Sequence, residues 1–214
     1  KRGLLLFSEL LDKLHSKKVV VIGAGGLGGN IVNLISRLGI GKILIFDGDV
    51  FDSSNINRQL YCNQLTLGKN KAEVAAEETR KIGISDAEAI PDFFQEKYFP
   101  LLKGYDCIID ATDNVNARLY LEQVAIRSGI TVIHGAINAY FGQIAVVRPG
   151  DKTLSKLYSG KIEPTRETIS YIPATVAALQ VCQMVKFLSN AGALEREEVL
   201  LVDMFSCQTR TIKL

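Results

Sequence analysis

Val19-Val20-Val21-Ile22-Gly23-Ala24-Gly25-Gly26-Leu27-Gly28 decides the fold. The unbroken β-branched run reads as a buried strand, and the glycine string after it ends that pattern. Leu27, Ile31, Leu34, Ile35 and Leu38 then recur at the 3.6-residue period until Gly39 closes a helix. Residues 42–46 read as a second strand. Strand, glycine turn, helix and strand within about thirty residues form a βαβ unit, which requires a parallel sheet with a crossover helix.

Working outward, residues 4–14 carry apolar side chains at helical spacing. Beyond the βαβ unit the pattern predicts helices over 69–81, 95–102 and 116–128, and strands over 87–90, 106–110, 131–134 and 143–148. Residues 150–172 have no periodicity and exceed the usual connection length, which marks a functional or mobile loop. Pro173 can open a helix at its first position, running through 181–188 to Gly192. Two late strands close the chain at 199–203 and 209–214. The expectation is one α/β domain over 1–214: a Rossmann-like, mostly parallel sheet flanked by helices, with antiparallel strands at its C-terminal end.

Composition bounds the function. Of 214 residues, 47% are hydrophobic and 22% charged, an ordinary globular balance. A net charge of +2, with basic and acidic residues interspersed, argues against a nucleic-acid partner. The longest apolar runs fall short of the ~20 residues of a membrane span, so no membrane partner is expected. Four scattered cysteines without a C-x-x-C pair fit reduced thiols in a cytoplasmic protein, with no zinc site. Lys1 stands where a Met would open a chain, without a signal segment after it, so residues are expected to be missing from the front.

The glycine string lets backbone approach a phosphate while helix N–H groups and dipole attract its charge. Asp47, ending the next strand, can accept ribose hydroxyls. These two features fit a dinucleotide as well as ATP, and glycines also serve tight helix–sheet packing. A dehydrogenase does not require the next motifs along the chain: Asp47-Gly48-Asp49, then Ser54-Asn55-Ile56-Asn57-Arg58-Gln59, then Lys71. Arg58 and Lys71 would set two cations near the phosphates, where they can neutralise a departing pyrophosphate. Each alone also reads as a solvated surface cation. Asp110-Ala111-Thr112-Asp113-Asn114 ends a later strand on the ligand edge of the sheet. Asp113 there can hold Mg²⁺, while Thr112, Asp113 or Asn114 can instead cap the next helix.

These motifs, in this order and spacing, resemble the ThiF/MoeB/HesA family of ubiquitin-activating-type adenylyltransferases, over about residues 15–150 and more weakly over 172–188. The resemblance implies a homodimer that binds ATP with Mg²⁺. It would adenylate the C-terminal glycine carboxylate of a ubiquitin-like sulfur carrier, as in thiamine or molybdopterin biosynthesis, and release pyrophosphate. Carried over position by position, it gives Arg58, Lys71 and Asp113 catalytic roles, with Asp113 on the metal. Gly23, Gly25, Gly26, Leu27, Gly28, Asp47, Asp49, Asn55, Asn57, Gln59 and Asn114 join them around the nucleotide.

The chain also departs from that pattern. Family members often carry two C-x-x-C pairs for zinc, and some a cysteine in the crossover loop; residues 151–172 here have none. Zinc and a loop thioester are therefore not expected. Cys107 and Cys182 read as buried, inert thiols, whereas Cys62 and Cys207 are open. The family's N-terminal R-Y-x-R-Q motif is not recognisable, Arg2 being the nearby candidate. His134 stands where relatives commonly have a small residue, as a site contact or a hydrogen-bonded structural histidine. His15 reads as helix-end surface. Tyr140-Phe141-Gly142-Gln143 matches the family's turn into its next strand, with a structural role or a carrier-tail contact. These departures leave a small-molecule carboxylate as the alternative substrate, such as the pyridinol of the iron-guanylylpyridinol cofactor. A non-catalytic ATP-binding scaffold and an NAD-dependent oxidoreductase are the further alternatives.

Overall fold

A computed structural model describes residues 7–160 and 168–214. Eight strands form one sheet. They are β1 (Lys18–Ile22), β2 (Lys42–Phe46), β3 (Asp86–Ile90), β4 (Cys107–Asp110), β5 (Thr131–Asn138), β6 (Phe141–Val147), β7 (Glu198–Asp203) and β8 (Gln208–Lys213). Their order is β3-β2-β1-β4-β5-β6-β7-β8. The first five run parallel, and from β5 onward each pair is antiparallel. The mostly parallel sheet with an antiparallel C-terminal end is the architecture expected from the sequence.

The two faces of the sheet explain its apolar strands. Val19, Val21, Ile43, Ile45 and Ile109 pack into one core, against α2 (Gly26–Arg37), α3 (Lys71–Ile82) and α6 (Tyr171–Ser189). Val20, Ile22, Leu44, Phe46 and Ile108 pack into the other, against α4 (Val115–Ser128) and a 3-10 helix at Glu96–Leu102. A strand buried on both sides has no polar alternation, which is why 19–22 is a continuous β-branched run. The last strand, β8, is largely exposed, as an antiparallel edge allows.

Several boundaries differ from the sequence pattern. Helix α1 covers Phe7–His15, and positions 4–6 of the expected helix lie outside the described residues. Helix α3 starts at Lys71, two residues later than expected, because Asn70 Oδ1 accepts the N–H groups of Ala72 and Glu73 and fixes the N-cap. The helix expected over 95–102 is a 3-10 helix, with Pro100 inside it. Strands β5 and β6 extend to a tight turn at Ala139, φ 51°, since Asn138 pairs with Phe141. Within the expected loop, Thr153–Leu157 forms a short helix, α5. Its first N–H groups, of Leu154 and Ser155, donate to the buried Glu122 carboxylate on α4. Helix α6 opens at Tyr171, so Pro173 is its third residue, still in the turn where N–H groups lack helical partners.

By length and mean hydropathy (1.3) α6 would suffice to cross a membrane, contrary to the reading of short apolar runs. It is a core helix instead, packed on α2, β5 and β6 and burying Gln180 and Gln183. Gln180 Nε2 donates to the carbonyls of Asp110 and Ile133, 2.8 Å each, and so ties α6 to the carboxyl ends of β4 and β5.

Candidate active site

The carboxyl ends of β1, β2 and β4 converge on a cavity of about 630 Å³. Gly23, Gly25, Gly26, Leu27, Asp47, Asp49, Asn55, Arg58, Gln59, Lys71, Asp113 and Asn114 line it. Gly28 and Asn57, named with them from the sequence, do not. Gly28 works underneath: a Cβ there would stand 1.9 Å from the carbonyl oxygen of Gly23, itself at φ +96°. The loop can fold tightly onto α2 only without that carbon. Asn57 is on the exposed rim, donating to the Thr168 carbonyl at 3.3 Å.

At the N-terminus of α2 no side chain among the described residues caps the first N–H groups, leaving donors for an anion. The buried amide oxygen of Gln59 has no partner among the described residues, and a Cβ at Gly25 would fill the space 3.6 Å from that side chain. Asp47 is 8% exposed; Oδ2 accepts from Ala24 N–H at 2.6 Å and Oδ1 from Asp49 N–H at 2.9 Å. Burial pushes its carboxyl up, against the pull of those N–H groups and of Lys71. A carboxylate has about four acceptor sites, so room remains for hydroxyl donors.

Lys71, buried at the start of α3, pairs with Asp49 at 3.1 Å. Arg58 is turned onto its own loop, Nη1 donating to the Ser54 carbonyl at 2.7 Å and Asn57 Oδ1 at 3.0 Å. Asp113 is exposed, 3.4 Å from Asn114 Nδ2. Capping and candidate metal ligation are divided between neighbours: Asn114 Oδ1 accepts from Ala117 N–H at 2.8 Å as the cap of α4, leaving Asp113 open. The described residues hold no group of three or more His, Cys, Asp and Glu that can share a metal. Mg²⁺ would therefore rely on Asp113 together with phosphate oxygens and water, its usual habit in phosphate sites.

Sequence reasoning missed the far wall. Phe46, Phe93, Phe94, Tyr120 and Leu121 line an apolar side fit for a planar base, with Phe46 and Phe94 edge to face at 5.2 Å. Phe93-Phe94 follows the carboxyl end of β3, so the edge rule that singled out Asp113 applied to it equally. Arg118 on α4 and Pro173 on α6 were also missed; no local motif marks them.

His134 does not line the cavity. It is fully buried, Nδ1 2.7 Å from Asp110 Oδ2 and Nε2 3.1 Å from the Tyr158 hydroxyl, so the structural reading holds. Burial pushes the Tyr158 hydroxyl up to about 12, keeping it a donor. Cys107 is buried and its thiol pushed up by burial, whereas Cys182 is exposed, against expectation, because it falls on the outer side of α6. Cys62 is buried, its thiol raised by burial, and Cys207 is exposed. His15 is exposed at the end of α1, as expected.

A glycine cradle, an acidic strand end and a buried lysine around one cavity define a nucleotide-binding α/β protein. The ThiF family model matches residues 3–214, and the chain belongs to the ThiF family. It is 29% identical to the SAMP-activating enzyme E1 of Haloferax volcanii, over 94% of this chain and 77% of that protein. Identity is also 29% to the molybdopterin-synthase adenylyltransferase of Haemophilus influenzae, over 95% of this chain and 87% of the other. Among solved structures, Escherichia coli MccB with ATP superposes with a TM-score of 0.80 at 21% identity, over 95% of this chain and 65% of the MccB chain.

Proposed function

We propose that this chain is an ATP-dependent adenylyltransferase that activates a carboxylate as its acyl-adenylate and releases pyrophosphate. The observation that carries this reading is the convergence of glycine loop, Asp47, Lys71 and Asp113 on one cavity. A dehydrogenase has no use for the last two. The names of the Haloferax and Haemophilus relatives support the same activity.

ATP supplies the electrophilic α-phosphorus and its leaving group, and Mg²⁺ supplies charge at the phosphate oxygens. The chain's own residues do the rest by position and charge. Free N–H groups at the start of α2 hold phosphate oxygens, and the absence of Cβ atoms at Gly25 and Gly26 lets them come close. Asp47 accepts ribose hydroxyls; Phe93 and Phe94 cover the base and exclude water. Lys71 exchanges its partner Asp49 for phosphate, offsetting negative charge on the leaving group. Arg58 swings from Ser54 to do the same, and Asp113 holds the metal, with Asn55, Asn57, Gln59 and Asn114 around them. The substrate is the C-terminal glycine carboxylate of a ubiquitin-like carrier, in a cytoplasmic homodimer of single-domain chains; a small carboxylate is the second reading, favoured by the cysteine-free crossover.

ATP–pyrophosphate exchange with Mg²⁺ tests the activity, offering glycine-ended carriers and small aromatic carboxylates in turn. Exchange with a carrier supports the first reading, and exchange with small carboxylates alone the second. ATP binding without exchange under any acceptor refutes both.

A further inference from the structure

A second recess of about 570 Å³ adjoins the nucleotide cavity, and their common wall is Arg118, Ala136 and Ile137. Arg118 is only 3% exposed. Nη2 donates to the Thr112 carbonyl at 3.1 Å and Nη1 to the Tyr158 hydroxyl at 3.2 Å, while buried Nε has no acceptor among the described residues. Among the described residues no carboxylate pairs with it. Glu122, one turn along α4, is taken up by the backbone and hydroxyl of α5. Asp110 is taken up by His134 and Thr112. A buried guanidinium without a counter-ion is costly, and an anion bound beside it would offset that cost.

Its support is equally deliberate. Asp110 accepts from His134 Nδ1, His134 Nε2 accepts from the Tyr158 hydroxyl, and the Tyr158 oxygen accepts from Arg118 and the Gln143 amide. Every proton in that chain has one consistent place, and its inner members Asp110 and His134 are fully buried. Tyr158 lines the recess and not the nucleotide cavity. A carboxylate substrate must approach the phosphates against charge repulsion, so a cation on the shared wall meets a need that the phosphate-side residues do not.

We propose that Arg118 is the counter-charge for the substrate carboxylate, which reaches the nucleotide through the second recess, and that Tyr158, His134 and Asp110 are positioning residues that fix its guanidinium. The proposal rests on the adenylation reading and names the group that receives the acceptor. It also gives His134 its reason: the imidazole bridges a buried strand end to a side chain in the recess wall.

Thermal shift on the full chain tests it, using the non-cleavable analogue AMPCPP with N-acetylglycylglycine as a peptide-tail probe or benzoate as a small aromatic one. AMPCPP raises the melting temperature, and one carboxylate raises it further. Which probe works separates a peptide tail from a small acid. In Arg118→Met the ligand-free protein melts higher than wild type, because an uncompensated charge is gone. Its half-saturating carboxylate concentration rises at least about tenfold, the loss of a charged hydrogen bond. Tyr158→Phe shows a smaller rise in the same direction, and Arg118→Lys recovers part of the Arg118→Met loss. Arg118→Met that melts lower and keeps the carboxylate response makes the residue structural and overturns the proposal. An AMPCPP shift in wild type with no response to either carboxylate overturns it too, leaving the nucleotide reading standing. Absence of the AMPCPP shift itself refutes the adenylation reading beneath it.

Discussion

Replacing Gly28 by alanine separates packing from ligand binding at the glycine loop. The added Cβ would lie 1.9 Å from the Gly23 carbonyl oxygen and 2.7 Å from its carbon, where real Cβ atoms keep at least 3.0 Å. Both obstacles are backbone, so no rotamer change relieves them, and the loop must move by about 1 Å. Overpacking of this kind costs about 1–3 kcal/mol, and a rigid obstacle places Gly28→Ala at the upper end. At about 3 kcal/mol the folding equilibrium falls by roughly a hundredfold. The same movement draws Ala24 N–H from Asp47, so ATP affinity falls as well. Gly26→Ala is the control. Its Cβ would stand 3.4 Å from the Arg58 carbonyl and 3.7 Å from Pro173, ordinary contacts at a helical position. Stability there holds or rises by up to about 1 kcal/mol, while the methyl narrows the cavity floor and weakens ATP. Urea denaturation and calorimetric titration with ATP give both quantities. Wild-type midpoint and ATP affinity in Gly28→Ala would refute this account of the loop.

Neighbouring residues at the start of α4 give a second contrast: Asn114→Ala costs about 1 kcal/mol by loss of the cap, whereas Asp113→Ala stays within about 0.5 kcal/mol of wild type and loses Mg²⁺-dependent exchange. Melting curves and exchange rates showing the reverse would sink the division of labour. Lys71→Met lowers exchange by about 10²–10³-fold at saturating ATP, the usual loss for a charge-stabilising donor, and a change under about threefold speaks against its role. Burial alone would raise Asp110, but the hydrogen bonds from His134 and Thr112 hold it below the ordinary carboxylate range. A lowered folded value gives stability that is present above the unfolded pKa, about 3.9, and lost as pH falls through the folded one. Urea midpoints of wild type therefore drop below about pH 4, more steeply than those of Asp110→Asn; equal slopes contradict this.

Much of the site was legible because its parts are local. The glycine string, Asp47, Lys71 and Asp113 each sit at a strand end or helix start that period and punctuation reveal, and parallel strands bring their carboxyl ends to one edge. The cap was narrowed to Thr112, Asp113 or Asn114, and geometry chose Asn114 because its side chain alone reaches back to Ala117 N–H. Cys182 was misjudged because an apolar helix composition does not say which side faces out when α6 is apolar almost all round.

The sequence by itself determined the βαβ unit, the order of the strands and longer helices along the chain, the position of the nucleotide loop and the motifs that mark the family, since these depend on neighbours within a few turns of chain. Only the tertiary structure decided the rest. Helix α5 exists where Glu122, 32 residues away, supplies acceptors for its first N–H groups. Arg118, Tyr158, His134 and Asp110 come from α4, the end of α5 and two strands, and no spacing in the sequence announces that they touch. Burial turns their contact into chemistry: a guanidinium that water would solvate anywhere else is held at the border of two cavities by a carbonyl and a hydroxyl, with no carboxylate beside it among the described residues, and a charge so placed calls for an anion.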